Sequence, residues 1–260
     1  MPASSASGTI ALMFVRPLCI VLAQVGFFTA LGSWNATLPW WPFQMIIANI
    51  VCFFILVCRS RKDGAHLRDM YLHPFDEGLP AGRLTRLFQK RDLKPRILNV
   101  VYDLGLFCVI LLSLGLIALK IAGCIDHQIQ SADLCPRYDA LPLRAVAAIS
   151  ILLPLTMPLV EVPWYFGYFF PRLERILEGK SKKTALLCSF AASTFVFSLQ
   201  HCFQPFIPDW SYIGLRFLML LPLLVLIAWV IRIIPRFMPY ILFLHALMAV
   251  DVALKYWKFL

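Results

Sequence analysis

Three side chains stand inside long apolar runs that ordinarily carry no charge: Glu161 in PLTMPLVEVPWYFGYFF, His201 closing STFVFSLQH, and His245 in YILFLHALMAVDVAL. An Asp, Lys or Arg at bilayer depth costs roughly 2.5–3.5 kcal/mol on insertion scales, so ionisable groups kept there usually face a bundle interior and serve a function. Glu161 lies between Pro158 and Pro163, with Pro154 one turn earlier. Prolines kink or unwind a helix and free backbone carbonyls, which places a carboxylate beside them in a polar niche suited to a general base. The bland alternative is a carboxylate neutralised for packing by an arginine such as Arg144 or Arg216. His201, with Phe197 four residues before it, reads by itself as a helix-end packing residue. His245, near the centre of its run, has no water to lean on. One glutamate and two histidines on three separate runs point together to water activation or proton transfer. Asp103, Arg216 and Asp251 complete the ionisable groups placed away from span ends.

The elements that must position these groups are transmembrane helices. Of 260 residues 60% are hydrophobic and 15% charged, with a mean hydropathy of +0.77. Soluble domains carry roughly 45–50% apolar and 25% charged residues, so a soluble fold is excluded, along with disorder and coiled coil. Apolar runs near 11–32, 40–58, 97–122, 143–170, 185–204, 212–231 and 238–256 predict an all-α polytopic membrane protein of about seven spans. Residues 1–140 hold the first spans and a basic loop at 59–96, and residues 141–260 hold the core with the candidate site. The net charge of +10 does not point to nucleic acid. With the N-terminus inside, all but Lys120, Arg137, Arg144, Arg216, Lys255 and Lys258 of the 24 basic residues fall on the inner side, which predicts a cytoplasmic N-terminus and a C-terminus on the opposite side;. The first 32 residues lack a basic leader and contain Arg16 and Gln24, so they read as a first span and not as a signal peptide.

Within the basic loop, AGRLTRLFQKRDLKPR spaces Leu84, Leu87 and Phe88 among cations, the pattern of an interfacial helix drawn to anionic lipid headgroups;. Cys19, Cys52, Cys58, Cys108, Cys188 and Cys202 fall in or beside spans as small apolar residues, whereas Cys124 and Cys135 share an outer loop where a disulfide can form. The sequon Asn35-Ala36-Thr37 sits too near the membrane to carry weight.

At the ionisable residues the sequence resembles the CPBP family, the CAAX prenyl endopeptidase and bacteriocin-processing (Abi) intramembrane proteases. That family's motifs are EExxxR with a GYLLPRLE-like tail, then FxxxH, then HxxxN or HxxxD. Their counterparts here are Glu161-Val162-Pro163-Trp164-Tyr165-Phe166-Gly167-Tyr168-Phe169-Phe170-Pro171-Arg172-Leu173-Glu174, then Phe197-Ser198-Leu199-Gln200-His201, then His245-Ala246-Leu247-Met248-Ala249. The resemblance covers residues 150 to 251 and implies an endopeptidase in which Glu161 activates water while His201 and His245 position it or stabilise the oxyanion. The implied substrate is a membrane-bound or lipidated peptide. Val162, Phe166 and Ala249 depart from the motifs, replacing a glutamate, an arginine and an amide or acid. Asp251 cannot stand in for the last, because i+6 lies about 240° around a helix from His245 and i+4 about 40°.

Tyr165 and Tyr168, at i+4 and i+7 from Glu161, are expected to line its cavity. No cofactor is expected; Glu161, His201 and His245 would also satisfy a three-ligand zinc site, but no HExxH accompanies them. For Glu161 and His201 to meet at one depth, the Glu161 helix should begin near residue 150 and run to about 178. Two rival readings are a catalytically degenerate relative acting as membrane scaffold or regulator, and a small transporter or lipid-binding protein with a polar path past Asp103, Arg216 and Asp251.

Overall fold

The computed structural model describes residues 6–72, 74, 75, 97–110, 113, 115–117, 120, 121, 123, 124, 141–177, 179 and 181–257 of the chain. Their regular elements are helices. α1 (Ala6–Met13) and α2 (Val15–Leu31) form a rod that ends at Gly32, whose φ of 71° lets its N–H return to the Phe28 carbonyl;. α3 (Trp34–Thr37) turns the chain into α4 (Trp41–Lys62), after which α5 (Leu67–Leu72) and α6 (Ile97–Ile110) follow. α7 (Leu143–Val162) continues through a π-helical stretch, Pro163–Phe169, into α8 (Phe170–Leu177). α9 (Lys182–His201), α10 (Trp210–Ile233) and α11 (Met238–Trp257) complete the bundle. Ser181 and Asp209 cap α9 and α10 by accepting the Thr184 and Tyr212 N–H groups;.

Five continuous segments are long and apolar enough to cross a membrane: Ala6–Leu31, Trp34–Lys62, Leu143–Leu177, Trp210–Ile233 and Pro235–Trp257. The protein is therefore an all-α membrane protein, with five such segments where seven spans were expected. The other two fall short for different reasons. α9 is 20 residues long but is diluted by Ser189, Ser193, Thr194, Ser198, Gln200 and His201. The span expected at 97–122 is described as a regular helix only over Ile97–Ile110. Leu18, Leu22, Phe54, Ile151, Leu155 and Phe243 are each more than half exposed, the surface acyl chains would cover;. The expected interfacial helix at 81–96 and Cys135 of the expected disulfide lie outside the described residues.

Ion pairs gather the basic helix ends at one end of the bundle. Asp63 beyond α4 pairs with Arg172 of α8, Glu174 of α8 with Arg232 of α10, and Asp103 of α6 with Arg236 just before α11. At the other end the Tyr256 hydroxyl donates to the Pro39 carbonyl at 2.8 Å, and Gln24 exchanges two 2.9 Å bonds with the Phe206 backbone. Thr37 of the sequon is buried there and donates to the Trp34 carbonyl. This asymmetry of charge is the one the orientation argument uses.

The rod carrying Glu161 runs from Leu143 to Leu177, 35 residues and about 52 Å at 1.5 Å per residue, well beyond a hydrocarbon core of about 30 Å;. It ends where expected but begins earlier than residue 150, because Pro142 precedes α7 as its N-cap residue and the helix tolerates Pro154 and Pro158 within it. Pro163 has no N–H to offer the Leu159 carbonyl; the Tyr71 hydroxyl donates to it instead, at 2.5 Å;. The extended rod also removes the depth conflict. Counted from Leu177, Glu161 stands 16 residues along its rod (177 − 161), and counted from Lys182, His201 stands 19 along α9 (201 − 182), a difference of about one turn;.

Candidate functional site

Glu161 is wholly buried, with 0% of its surface exposed, and both carboxylate oxygens are engaged. Oε1 accepts from the Arg16 guanidinium, and Oε2 lies 2.6 Å from His245 Nε2. A carboxylate accepts only, so His245 Nε2 carries the proton in this contact. Arg16 enters from α2, 145 residues away in sequence. Its other donors are held as well: Nε and Nη2 reach Asn49 Oδ1 of α4 at 3.1 and 2.7 Å, and Nη1 donates to Gln200 Oε1 of α9. Asn49 Nδ2 in turn donates to Thr156 Oγ1 of α7 at 3.3 Å. The polar core therefore joins α2, α4, α7, α9 and α11, uniting the two halves expected from sequence. Charge balances within it, one guanidinium against one carboxylate, which is the condition under which buried ions are tolerated.

The alternative in which an arginine neutralises Glu161 is met in kind, but by Arg16 and not by Arg144 or Arg216. Arg216 Nη2 donates to the Gln204 carbonyl at 3.0 Å, and Arg144 has no bond to Glu161. Arg16, counted on the inner side by its position near the start of its run, is instead buried against Glu161. The signal available was that it is the lone charge in the first 58 residues.

His201 lies at the end of α9 with Nδ1 2.9 Å from the Phe197 carbonyl. A carbonyl cannot donate, so Nδ1 bears the proton and a neutral ring leaves Nε2 as a lone-pair acceptor. The ring stacks on Phe197, which stacks on Tyr165 with centroids 4.7 Å apart. His201 is near enough to Glu161 and Arg16 to sense both charges, but its hydrogen bond goes to its own helix and not to the carboxylate. His245 and Glu161 therefore meet directly, while His201 stands beside them.

Of the expected lining residues, Tyr165 is buried against the cluster, its hydroxyl 3.4 Å from the Met13 carbonyl. Tyr168 turns elsewhere, donating to Asp63 at 2.5 Å, because the π-helical stretch changes the register between the two tyrosines;. Ala249 is fully buried in a cluster with Ile20, Met45, Ile149 and Leu153, so packing fills the space beside it. Val162 and Phe166 are likewise core residues. Amides reach the cluster from Asn49 and Gln200 instead. Gln200 must turn its oxygen toward the guanidinium, since an amide nitrogen there would oppose donor to donor, and its Nε2 is a buried donor with no partner among the described residues;.

Among the described residues no group of three His, Cys, Asp or Glu is arranged to hold a metal ion, and the Arg16 guanidinium lies where a cation on Glu161 would bind. Two of the groups expected along a transporter's polar path are engaged elsewhere among the described residues. Asp103 is paired with Arg236, and Asp251 is 66% exposed and paired with Lys255 at 3.0 Å, both outside the Glu161 cluster. No protein-family model matches the sequence, and no curated protein or solved structure matches the chain.

Proposed function

We propose that the protein is a glutamate-type intramembrane endopeptidase similar to the CPBP family, acting on a membrane-bound or lipidated peptide. The observation that carries this reading is the 2.6 Å contact between His245 Nε2 and Glu161 Oε2, two motif residues on separate helices. A carboxylate has about four lone-pair sites and two are used, so a water entering beside Oε1 can give its proton to Glu161 while its oxygen attacks the peptide carbonyl. The C–N bond then breaks and the proton passes to the leaving amine. His245 holds the carboxylate in register, and His201 Nε2 accepts a hydrogen bond from the water. The family resemblance lacks its arginine at Phe166 and its amide at Ala249; Arg16 and the Asn49 and Gln200 amides bring the same functional groups from other helices.

The test is cleavage of membrane-anchored reporter peptides by the purified chain in proteoliposomes. Glu161→Gln and His245→Ala are expected to lower the rate at least about 10²-fold, the range of general acid–base catalysis. Cleavage unaffected by Glu161→Gln overturns the assignment. A second reading, a degenerate relative that binds a membrane partner, draws on the complete burial of Glu161 and the engagement of both its oxygens. It expects no cleavage of any reporter and a partner retained by the wild-type chain and by Glu161→Gln alike.

A further inference from the structure

A cavity of about 170 Å³ opens at the basic end of the bundle, away from the Glu161 cluster. Its walls are the turn after α4, α5, and one face of the π-helical stretch and α8. Asp63, His66, Asp69, Tyr168, Arg172 and Arg175 supply its polar lining. Gly167 sets the floor. A Cβ on it would lie 2.7 Å from the Met70 carbonyl oxygen, so the absence of a side chain is what lets α5 close against the π-helical stretch;.

Among the described residues the charges around this cavity are not balanced. Arg172 pairs with Asp63, which also accepts the Tyr168 hydroxyl. Arg175, and Arg59 from α4, lie close enough to Arg172 to repel its charge, and among the described residues neither has an ion-pair partner. Two guanidinium groups in the lining, with Arg59 nearby, thus stand against two carboxylates, and Arg175 and Asp69 are the exposed members of the set. Crowded like charges raise the free energy of the empty site, and an anion between them lowers it. The volume is comparable with the roughly 150 Å³ that admits a benzene-sized group, ample for a tetrahedral oxyanion. Guanidinium forks match the oxygens of such an anion, and basic pockets between transmembrane helices at the interface take lipid headgroups.

We propose that this cavity binds a phosphate group of net negative charge, with Arg175 and Arg172 as its principal donors and Arg59 adding charge. Its place at the ends of two spans puts it at headgroup depth. This inference is independent of the peptidase reading, since none of its residues belongs to the Glu161 cluster.

Native mass spectrometry of the full chain in detergent tests it, with phosphatidylglycerol, phosphatidylcholine and inorganic phosphate as separate probes. Phosphatidylglycerol is expected to be retained over phosphatidylcholine, and Arg175→Gln to reduce that retention about tenfold, the effect of one charge-assisted bond. Arg68→Gln, an exposed cation outside the lining, should leave retention unchanged. Melting temperatures of both variants establish that they fold. Displacement of the lipid by inorganic phosphate supports a site for phosphate from either source; no displacement supports one that needs the lipid. Equal retention of the two lipids, or equal loss in Arg68→Gln and Arg175→Gln, overturns the proposal.

Discussion

The Glu161 cluster and the Asp63 cluster are built from the same parts, a carboxylate, an arginine from another element, and a ring that hydrogen-bonds the carboxylate. Glu161 has Arg16 and His245; Asp63 has Arg172 and Tyr168. Their surroundings differ. Arg16 and Glu161 are 0% exposed, whereas Arg172 and Asp63 keep 20% and 21% of their side chains exposed. In the first, every charge must be matched inside the protein, and Asn49 and Gln200 saturate the guanidinium. In the second, water and lipid headgroups screen what the protein leaves unmatched, so extra cations can gather. The first arrangement suits holding a carboxylate in place, and the second leaves room for a ligand.

The sharpest way to break this comparison is to remove one charge from each cluster. Glu161→Ala leaves Arg16 buried without a counter-ion and should cost about 3–5 kcal/mol, read from denaturant or thermal unfolding in detergent. Pairing Arg16→Met with Glu161→Leu should recover most of that loss, because well-packed apolar residues replace a buried ion pair at little cost. A double variant no more stable than Glu161→Ala would show that the cluster is held by something other than charge matching. Gly167→Ala, which forces a methyl against the Met70 carbonyl, is expected to cost about 1–3 kcal/mol by overpacking and to weaken lipid retention at the cavity;. Asp63→Asn should cost only about 1 kcal/mol, and the deficit should shrink as salt is added, which the buried pair should not show.

The smallest effect is a pH dependence at Tyr71, on α5 outside the spans. Burial pushes its phenol up to about 12. An unfolded tyrosine ionises near about 10, so the folded state holds its proton over a window where the unfolded state has lost it. The stability Tyr71 contributes is therefore whole below about pH 10 and falls between about 10 and 12. Comparing unfolding midpoints of the wild type and Tyr71→Phe across that range should show the difference between them closing as pH rises.

Apolar helices were legible in the sequence, five of them long and apolar enough to span where seven spans were expected, because hydropathy depends on residues within one segment;. The end of the Glu161 helix near 178 was read correctly, while its start was not, since proline statistics argue for a break that Leu143–Val162 does not make. Intramembrane placement groups Glu161, His201 and His245; His245 meets Glu161 directly, whereas His201 hydrogen-bonds its own helix. Tyr168 was assigned to the wrong cluster because helical spacing at i+7 assumes an α-helix, and Pro163–Phe169 is a π-helix.

By itself the sequence determined that this is a helical membrane protein and that Glu161, His201 and His245 stand in apolar runs, because hydropathy and charge cost are properties of each segment in its solvent;. Only the tertiary structure decided that Arg16 neutralises Glu161, that Gln200 and Asn49 hold the guanidinium, and that Arg172 and Arg175 line one cavity. Those pairings depend on how rods distant in sequence rotate and dock, and no local pattern of residues records that angle.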